Sequence, residues 1–215
     1  MKYLIFSDTH LTNRFNANTF DFLRSIIEKA ERVIINGDFW DKHFVDYNQF
    51  VASKWKELFP LLKKKKAIYI VGNHDPADSI PKKVVFADKV VRDYQFKSGG
   101  KTIRVMHGDV FVIPKSKIYS WIPIPKPVAY GHEFLEFVKV NIFRGRVMAD
   151  WSTNRIISRR AKQRFGENEI IIAGHSHRAE ARPKDKYYNS GAIRFGFASY
   201  ITVNNGKIDL IKTRY

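Results

Sequence analysis

Lys2–Phe6 is a short apolar run closed by Ser7-Asp8, and the same figure returns along the chain. Arg32–Ile35 leads into Gly37-Asp38, Ala67–Val71 into Gly72-Asn73, and Glu169–Ala173 into Gly174-His175. Runs of this length bounded by Gly, Asp and Asn predict strands. Between the first three the period changes. Phe22, Leu23, Ile26, Ile27 and Ala30 recur at helical spacing within Thr19–Ala30. Phe50, Val51, Trp55, Leu58, Phe59 and Leu62 do the same within Tyr47–Leu62. The order β-α-β-α-β implies parallel strands joined by crossover helices, with polar residues gathered at the strands' carboxyl ends.

After Val71 the pattern turns antiparallel. Val90–Phe96 and Thr102–Met106 flank Ser98-Gly99-Gly100 and predict a hairpin that ends at His107. Lys186–Asn189, Ala198–Val203 and Lys207–Lys212 predict short strands, with Asn204-Asn205-Gly206 turning the last hairpin. The expected fold class is α/β: two packed mixed β-sheets flanked by helices. No internal repeat or long linker interrupts it, so residues 1–215 are expected to form one domain.

Residues 110–166 fit neither pattern and are expected to be a helical cap inserted between two polar motifs. Trp121-Ile122-Pro123-Ile124-Pro125-Lys126-Pro127 excludes a regular helix or central strand. Phe134–Phe143 is apolar nearly all round. Ser152–Phe165 reads as a basic helix with Ser152 as its N-cap and Gly166 past its end. From Val110 to Phe165 there are eleven Lys and Arg against three Asp and Glu. That is about half of the chain's formal net charge of +17.

Such a charge favours anionic partners: a phosphorylated substrate, nucleic acid or an anionic membrane surface. A solvated basic surface accounts for it equally well. The chain has no Cys, which excludes disulfides and thiolate zinc sites. No run of about 18 apolar residues could span a bilayer, and the first motif arrives at Asp8 with no room for a signal peptide. A cytoplasmic protein is expected, peripheral at a membrane if its basic cap meets lipid.

Five short clusters carry the candidate chemistry. They are Asp8-Thr9-His10, Gly37-Asp38-Phe39-Trp40-Asp41, Gly72-Asn73-His74-Asp75, His107-Gly108-Asp109 and Gly174-His175-Ser176-His177. Each alone reads as a polar turn. Together, and mostly at predicted strand ends, they supply the N and O donors that hold hydrolytic divalent metals. In type and order they resemble the calcineurin-like metallophosphoesterase superfamily, whose motifs run D-x-H, G-D-x-x-D, G-N-H-D/E, H-x-x and G-H-x-H. The resemblance spans essentially the whole chain.

The resemblance implies a metallophosphoesterase sandwich with two divalent ions. Asp8, His10, Asp38 and His177 match the ligands of one, and Asp38, Asn73, His107 and His175 those of the other. The shared Asp38 carboxylate would screen the repulsion between the ions, and a hydroxide bridging them would attack phosphorus. Mixed N/O ligands suit Mn²⁺, with Fe and Zn²⁺ as alternatives. His74 matches the residue that assists the leaving oxygen, and Asp41 the carboxylate that orients it. Asp75 is expected to cap the backbone after its own turn.

His107-Gly108-Asp109 together with the inserted cap resembles the UDP-2,3-diacylglucosamine pyrophosphatase branch. That resemblance implies a nucleotide-diphosphate lipid as substrate, with Phe137 and Val138 as candidates for acyl contact. Arg159 and Arg160 are candidates for anionic head groups or the diphosphate. A phosphodiesterase or nuclease acting on nucleotides or nucleic acid is the alternative, and a metal-free scaffold a remote one. His43 is expected at the surface or the site rim, and His132 has no motif. Lys63–Lys66 is expected to complement the end of a helix.

Overall fold

In a computed structural model of the chain, alternation along β1 (Lys2–Phe6) sets the layers. Tyr3 and Ile5 point into one core, Leu4 and Phe6 into another. Strands β2 (Arg32–Asn36), β3 (Ile68–Ile70) and β4 (Lys89–Val91) follow β1 in parallel register, Tyr3 beside Arg32, Ile34 beside Ile68 and Ile68 beside Lys89. Both faces of these strands are covered, which is why they read as continuous apolar runs. The structure describes residues 1–112 and 151–215 and, between them, 127, 128, 131, 134, 135, 137 and 138.

β11 (Phe197–Asn204) completes this seven-stranded sheet antiparallel to β1. It also carries β10 (Ile193–Arg194) and β12 (Lys207–Arg214). A second, five-stranded sheet runs in the order β5 (Asp93–Ser98), β6 (Lys101–Met106), β7 (Ile170–Ala173), β9 (Tyr187–Asn189) and β8 (Glu180–Arg182). Strand β6 is parallel to β7, and β7 to β9. Tyr3, Ile5, Ile34, Ile68 and Ile70 from one sheet meet Phe96, Ile103, Val105 and Ile172 from the other. Helices α1 (Ala17–Glu28), α2 (Tyr47–Ala52) and α3 (Phe59–Lys64) cover the outside of the first sheet. Helix α4 (Trp151–Phe165) covers the second through Ile157 and Ala161. The two mixed sheets with flanking helices are the fold class the sequence implied.

Several boundaries differ from expectation. The single helix expected over Tyr47–Leu62 is three pieces. Ser53 turns extended, a 3₁₀ turn spans Lys54–Leu58, and α3 restarts with Pro60 in its first turn. The expected strand Val90–Phe96 breaks at Arg92, because the chain leaves the first sheet there and enters the second. Periodicity cannot see such a crossing when both halves are β-rich. Ser152 does not cap α4, which already begins at Trp151. Short strands β8 and β10 carry no sequence signal.

Lys63–Lys66 serves the fold. Lys63 pairs with Asp88 at 2.7 Å, and Lys65 Nζ donates to the carbonyls of Glu28 and Ala30 at the end of α1. The described residues between 113 and 150 have helical backbone, and Phe134, Leu135 and Phe137 are exposed. His132, Lys126 and most of the Trp-Pro stretch lie outside the described residues, as does the remainder of Phe134–Phe143 beyond Val138.

Candidate metal centre

All five clusters follow parallel strands: β1, β2 and β3 of the first sheet, β6 and β7 of the second. Their carboxyl ends point the same way, so loops distant in sequence converge on one edge. The turns are tight. Asp8, His10, Asp38, His175 and His177 all have positive φ, between 44° and 68°. Asp and His tolerate that region better than most side chains. Glycine is required where the loops meet: a Cβ on Gly72 would overlap the Asp38 carboxylate, and one on Gly37 the His107 ring.

Asp75 ties two of these loops together. Its carboxylate accepts from the backbone N–H of Asp38, Phe39 and Gly72 at 3.0, 2.6 and 2.7 Å. The expected cap after its own turn is thus replaced by a bridge to the Gly37-Asp38 loop. Burial first, then the nearby Asp38 charge, pushes the Asp75 carboxyl up to about 7.

Three groups of ligand-type atoms result among the described residues, the atoms of each within 4.8 Å of one another. His10, Asp41 and His74 form one. The other two share Asp38: first Asp8, His10, Asp38 and His177, second Asp38, His107 and His175. In the first, His177 Nε2 lies 3.3 Å from Asp8 Oδ1 and 3.1 Å from His10 Nε2. In the second, Asn73 Oδ1 is 3.2 Å from His107 Nε2 and 2.8 Å from His175 Nδ1. Asp38 Oδ2 faces both groups, 3.8 Å from His10 and 3.2 Å from His107.

The donor set fits divalent cations. Buried Asp8 Oδ1 has only the His177 ring nitrogen, 3.3 Å away, and makes no hydrogen bond of good geometry. His107 Nδ1 lies 2.9 Å from the Asn36 carbonyl, which as acceptor leaves the Nε2 lone pair aimed at Asp38. His10 Nδ1 is likewise committed to Asp41, at 3.3 Å. Lone pairs and carboxylates that face one another call for positive charge between them. The electrostatics say the same. Burial opposes ionisation of Asp38, yet His107 and His74 hold its carboxyl well below the usual range. Burial also opposes a charged His107, yet Asp38 drives its proton affinity well up. Burial, then Arg194 and His74, pushes His10 down to about 3, and burial with His107 pushes His175 down to about 4.

His74 stands beside this centre. Its Nδ1 is 3.0 Å from Asp41 Oδ2, the same oxygen that meets His10. Burial works against its charge, but Asp41 and Asp38 raise it to about 9. His43 packs edge-on against the His74 ring, centroids 5.1 Å apart, and so lies at the rim.

The candidate substrate contacts scatter. Phe137 packs edge-on against Phe195, 5.6 Å between centroids, at the mouth of a groove that reaches His10. Val138 is half-buried. Arg159 is exposed on α4 and lines a separate surface hollow with Arg155, Lys162 and Arg182. Arg160 donates to the Phe111 carbonyl at 2.7 Å and holds the loop after His107 against α4.

Sequence reasoning missed the supports. Asn154 on α4 donates to Glu180 and the Arg178 carbonyl and accepts from Ser176, Tyr187 and Asn189. Asn189 also donates to the Gly174 carbonyl at 2.7 Å. This buried network pins the His175–His177 loop to α4. Its one sequence signal is position: Asn154 is polar on the stripe that continues through Ile157 and Ala161. Ser7 and Ser190, hydroxyl to hydroxyl at 2.7 Å, brace the other side.

Stacked mixed sheets with His, Asp and Asn gathered at parallel strand ends define a metallophosphoesterase sandwich. A family profile, the calcineurin-like phosphoesterase superfamily domain, matches residues 1–211, and the chain belongs to that superfamily. No curated protein sequence matches it. Among solved structures the chain is similar to Yfce, a phosphoesterase from E. coli, at 15% identity and TM-score 0.51, covering 100% of this chain and 99% of that one. It is similar to a novel archaeal phosphodiesterase at 16% identity and TM-score 0.50, covering 99% and 100%. It is also similar to Vps29 from Entamoeba histolytica complexed with Zn²⁺, at 16% identity and TM-score 0.50, covering 100% and 99%. At these identities the likeness is one of fold.

Proposed function

We propose that the protein is a hydrolase of phosphoester bonds that works with two divalent cations. Asp8, His10, Asp38 and His177 would hold one, and Asp38, Asn73, His107 and His175 the other. The observation that carries this reading is Asp38 Oδ2, a single carboxylate oxygen turned toward both His10 and His107. Bound ions would supply charge for the phosphate oxygens and an acidified water, and Mn²⁺ suits the donor set best, with Fe or Zn²⁺ compatible. Asp41 Oδ2 accepts a hydrogen bond from His74 Nδ1–H and fixes the ring, so that Nε2 can serve the leaving oxygen.

For substrate, we propose a phosphodiester or diphosphate that carries an organic group. A nucleotide-diphosphate lipid is supported by the exposed Phe134, Leu135 and Phe137, of which Phe137 lines the groove. With it would go a cytoplasmic, peripheral placement in which Arg155 and Arg159 of α4 meet an anionic surface. Among the described residues no helix is long and apolar enough to cross a membrane. A nucleotide phosphodiesterase or nuclease is the second reading, supported by the aromatic lining of the same groove and by the formal charge of +17.

The test is a substrate panel run with chelator and with Mn²⁺ restored. It contains UDP-2,3-diacylglucosamine, single-stranded and duplex DNA, cyclic nucleotides and p-nitrophenyl phosphoesters. Turnover that vanishes in chelator and returns with Mn²⁺ is expected for at least one class. Full turnover by a metal-stripped sample, or two tightly bound ions with no turnover anywhere in the panel, would sink the reading.

A further inference from the structure

Strand β10 pairs with the start of β11, Ile193 beside Ala198 and Arg194 beside Phe197, which leaves Phe195-Gly196 as a two-residue turn. Both turn residues have positive φ, 54° and 80°. Such a turn wants Asn, Asp or Gly at its first position, and a bulky side chain there is disfavoured. The chain can supply the favoured residue. At the other end of β11 the turn is Asn205-Gly206, with φ of 44° and 77°. Residues held in such backbone collect at functional sites.

What the strain positions is a ring beside the metal centre. Phe195 is half-buried, edge-on to Phe137, with the Arg194 guanidinium 4.7 Å over its face. These three, with His10, Arg14 and Trp55, line a groove of about 400 Å³, a volume typical of small-molecule sites. Trp55 is fixed there by its Nε1 bond to the Thr12 carbonyl at 2.8 Å. His10 belongs both to the groove and to the metal centre. Arg194 lines the groove together with His10 and so brings a positive charge to the edge of the centre. The walls alternate aromatic rings with Thr, Asn and Arg, which suits a flat group with polar edges better than an alkyl chain.

We infer that this groove is the subsite for a planar aromatic group carried on the substrate's phosphate, and that Phe195 is kept in a strained turn to wall it. The inference rests on the hydrolase reading for its chemistry, but its test reads binding as well. The Mn²⁺-loaded protein is titrated by calorimetry with phenylphosphonate and methylphosphonate, neither of which it can hydrolyse. Bis(p-nitrophenyl) phosphate and methyl p-nitrophenyl phosphate, which share a leaving group, are compared by kcat/KM.

Wild type is expected to prefer phenylphosphonate by about tenfold, the scale of one ring stacking on a protein aromatic. Phe195→Asn installs the residue the turn favours. It should leave Tm unchanged or higher, cut the aryl preference in both assays, and leave methylphosphonate binding as it was. Phe195→Leu keeps the strained backbone without the ring and should lose the preference too. No aryl preference in wild type overturns the inference. So does an aryl preference that survives Phe195→Asn, or a fall in Tm with equal losses on aryl and methyl probes. Selective aryl binding without hydrolysis of any ester would sink the hydrolase reading and leave the groove standing.

Discussion

Strand β11 is turned at both ends by two-residue loops of positive φ, and the two loops obey different rules. Asn205-Gly206 lies at the end remote from the candidate metal centre, where Asn204 pairs with Lys2 at the start of β1. It packs on the Gly99-Gly100 turn of β5–β6, through Gly206 N–H to Ser98 Oγ at 3.0 Å. There the turn chooses its residues: Asn-Gly and Gly-Gly carry positive φ at little cost. Phe195-Gly196 lies at the other end, beside His10 and Arg194. There the same backbone carries a Phe. The five ligand-type residues of positive φ stand at that end as well, Asp8 and His10 at one strand end, Asp38 at another, His175 and His177 at a third. Of these two turns the remote one follows local propensity and the near one does not, although Lys66 and Lys186 carry positive φ elsewhere in the chain too.

The sharpest way to test that contrast is to disturb the strained end. Asp38→Asn removes the carboxylate that faces both groups. Metal content by elemental analysis should fall below two ions per chain. Turnover should drop by more than the roughly 10–100-fold typical of an outer-shell change. A variant that keeps both ions and its rate would leave the loop geometry without a purpose.

Next in size is His74→Gln, which touches the leaving-group side alone. Both ions should stay bound while kcat falls by roughly 10²–10⁴-fold. The loss should shrink for p-nitrophenyl esters, whose leaving groups need little protonation. Loss of a metal instead would move His74 into the ligand set.

Asn189→Ala probes what holds the strained loop in place. It deletes donors to the Gly174 carbonyl and Asn154, and should cost about 1–3 kcal/mol in denaturant unfolding. Metal affinity should weaken with it, because the His175–His177 loop is anchored there. Unchanged metal affinity with lowered stability would separate the anchor from the site.

The smallest effect comes from exchanging the rules of the two turns. Asn205→Phe puts a bulky residue in the relaxed hairpin and should destabilise by about 1–2 kcal/mol without changing catalysis. Phe195→Asn should stabilise by less than about 1 kcal/mol. If Asn205→Phe costs nothing, positive φ is no burden in this chain and the contrast between the two ends of β11 fails.

The fold was legible where one element had one period and one face. β1, β2, β3 and β7 could be read because both their faces are buried, and α1 because its apolar stripe is regular. Legibility failed where tertiary contacts set the boundary. Arg92 divides a β-rich run only because two sheets compete for it, and Ser53 and Pro60 divide one helical stripe into three pieces. Asp75 was expected to act within its own turn, but two of its three backbone partners are 36 and 37 residues away along the chain. No local rule names them.

The sequence by itself determined the chemistry available: which side chains could bind cations, that they follow strands, and that their order resembles one superfamily. It could do so because ligand type and strand period are local properties. Only the tertiary structure decided that Asp38 Oδ2 faces both His10 and His107 and that one Asp41 oxygen meets both His10 and His74. It alone brought Asn154 and Asn189 to the Gly174–Ser176 loop and Phe195 to the groove that reaches His10. These are distances between loops brought together by sheet stacking. Packing sets them, and the identity of neighbours along the chain does not.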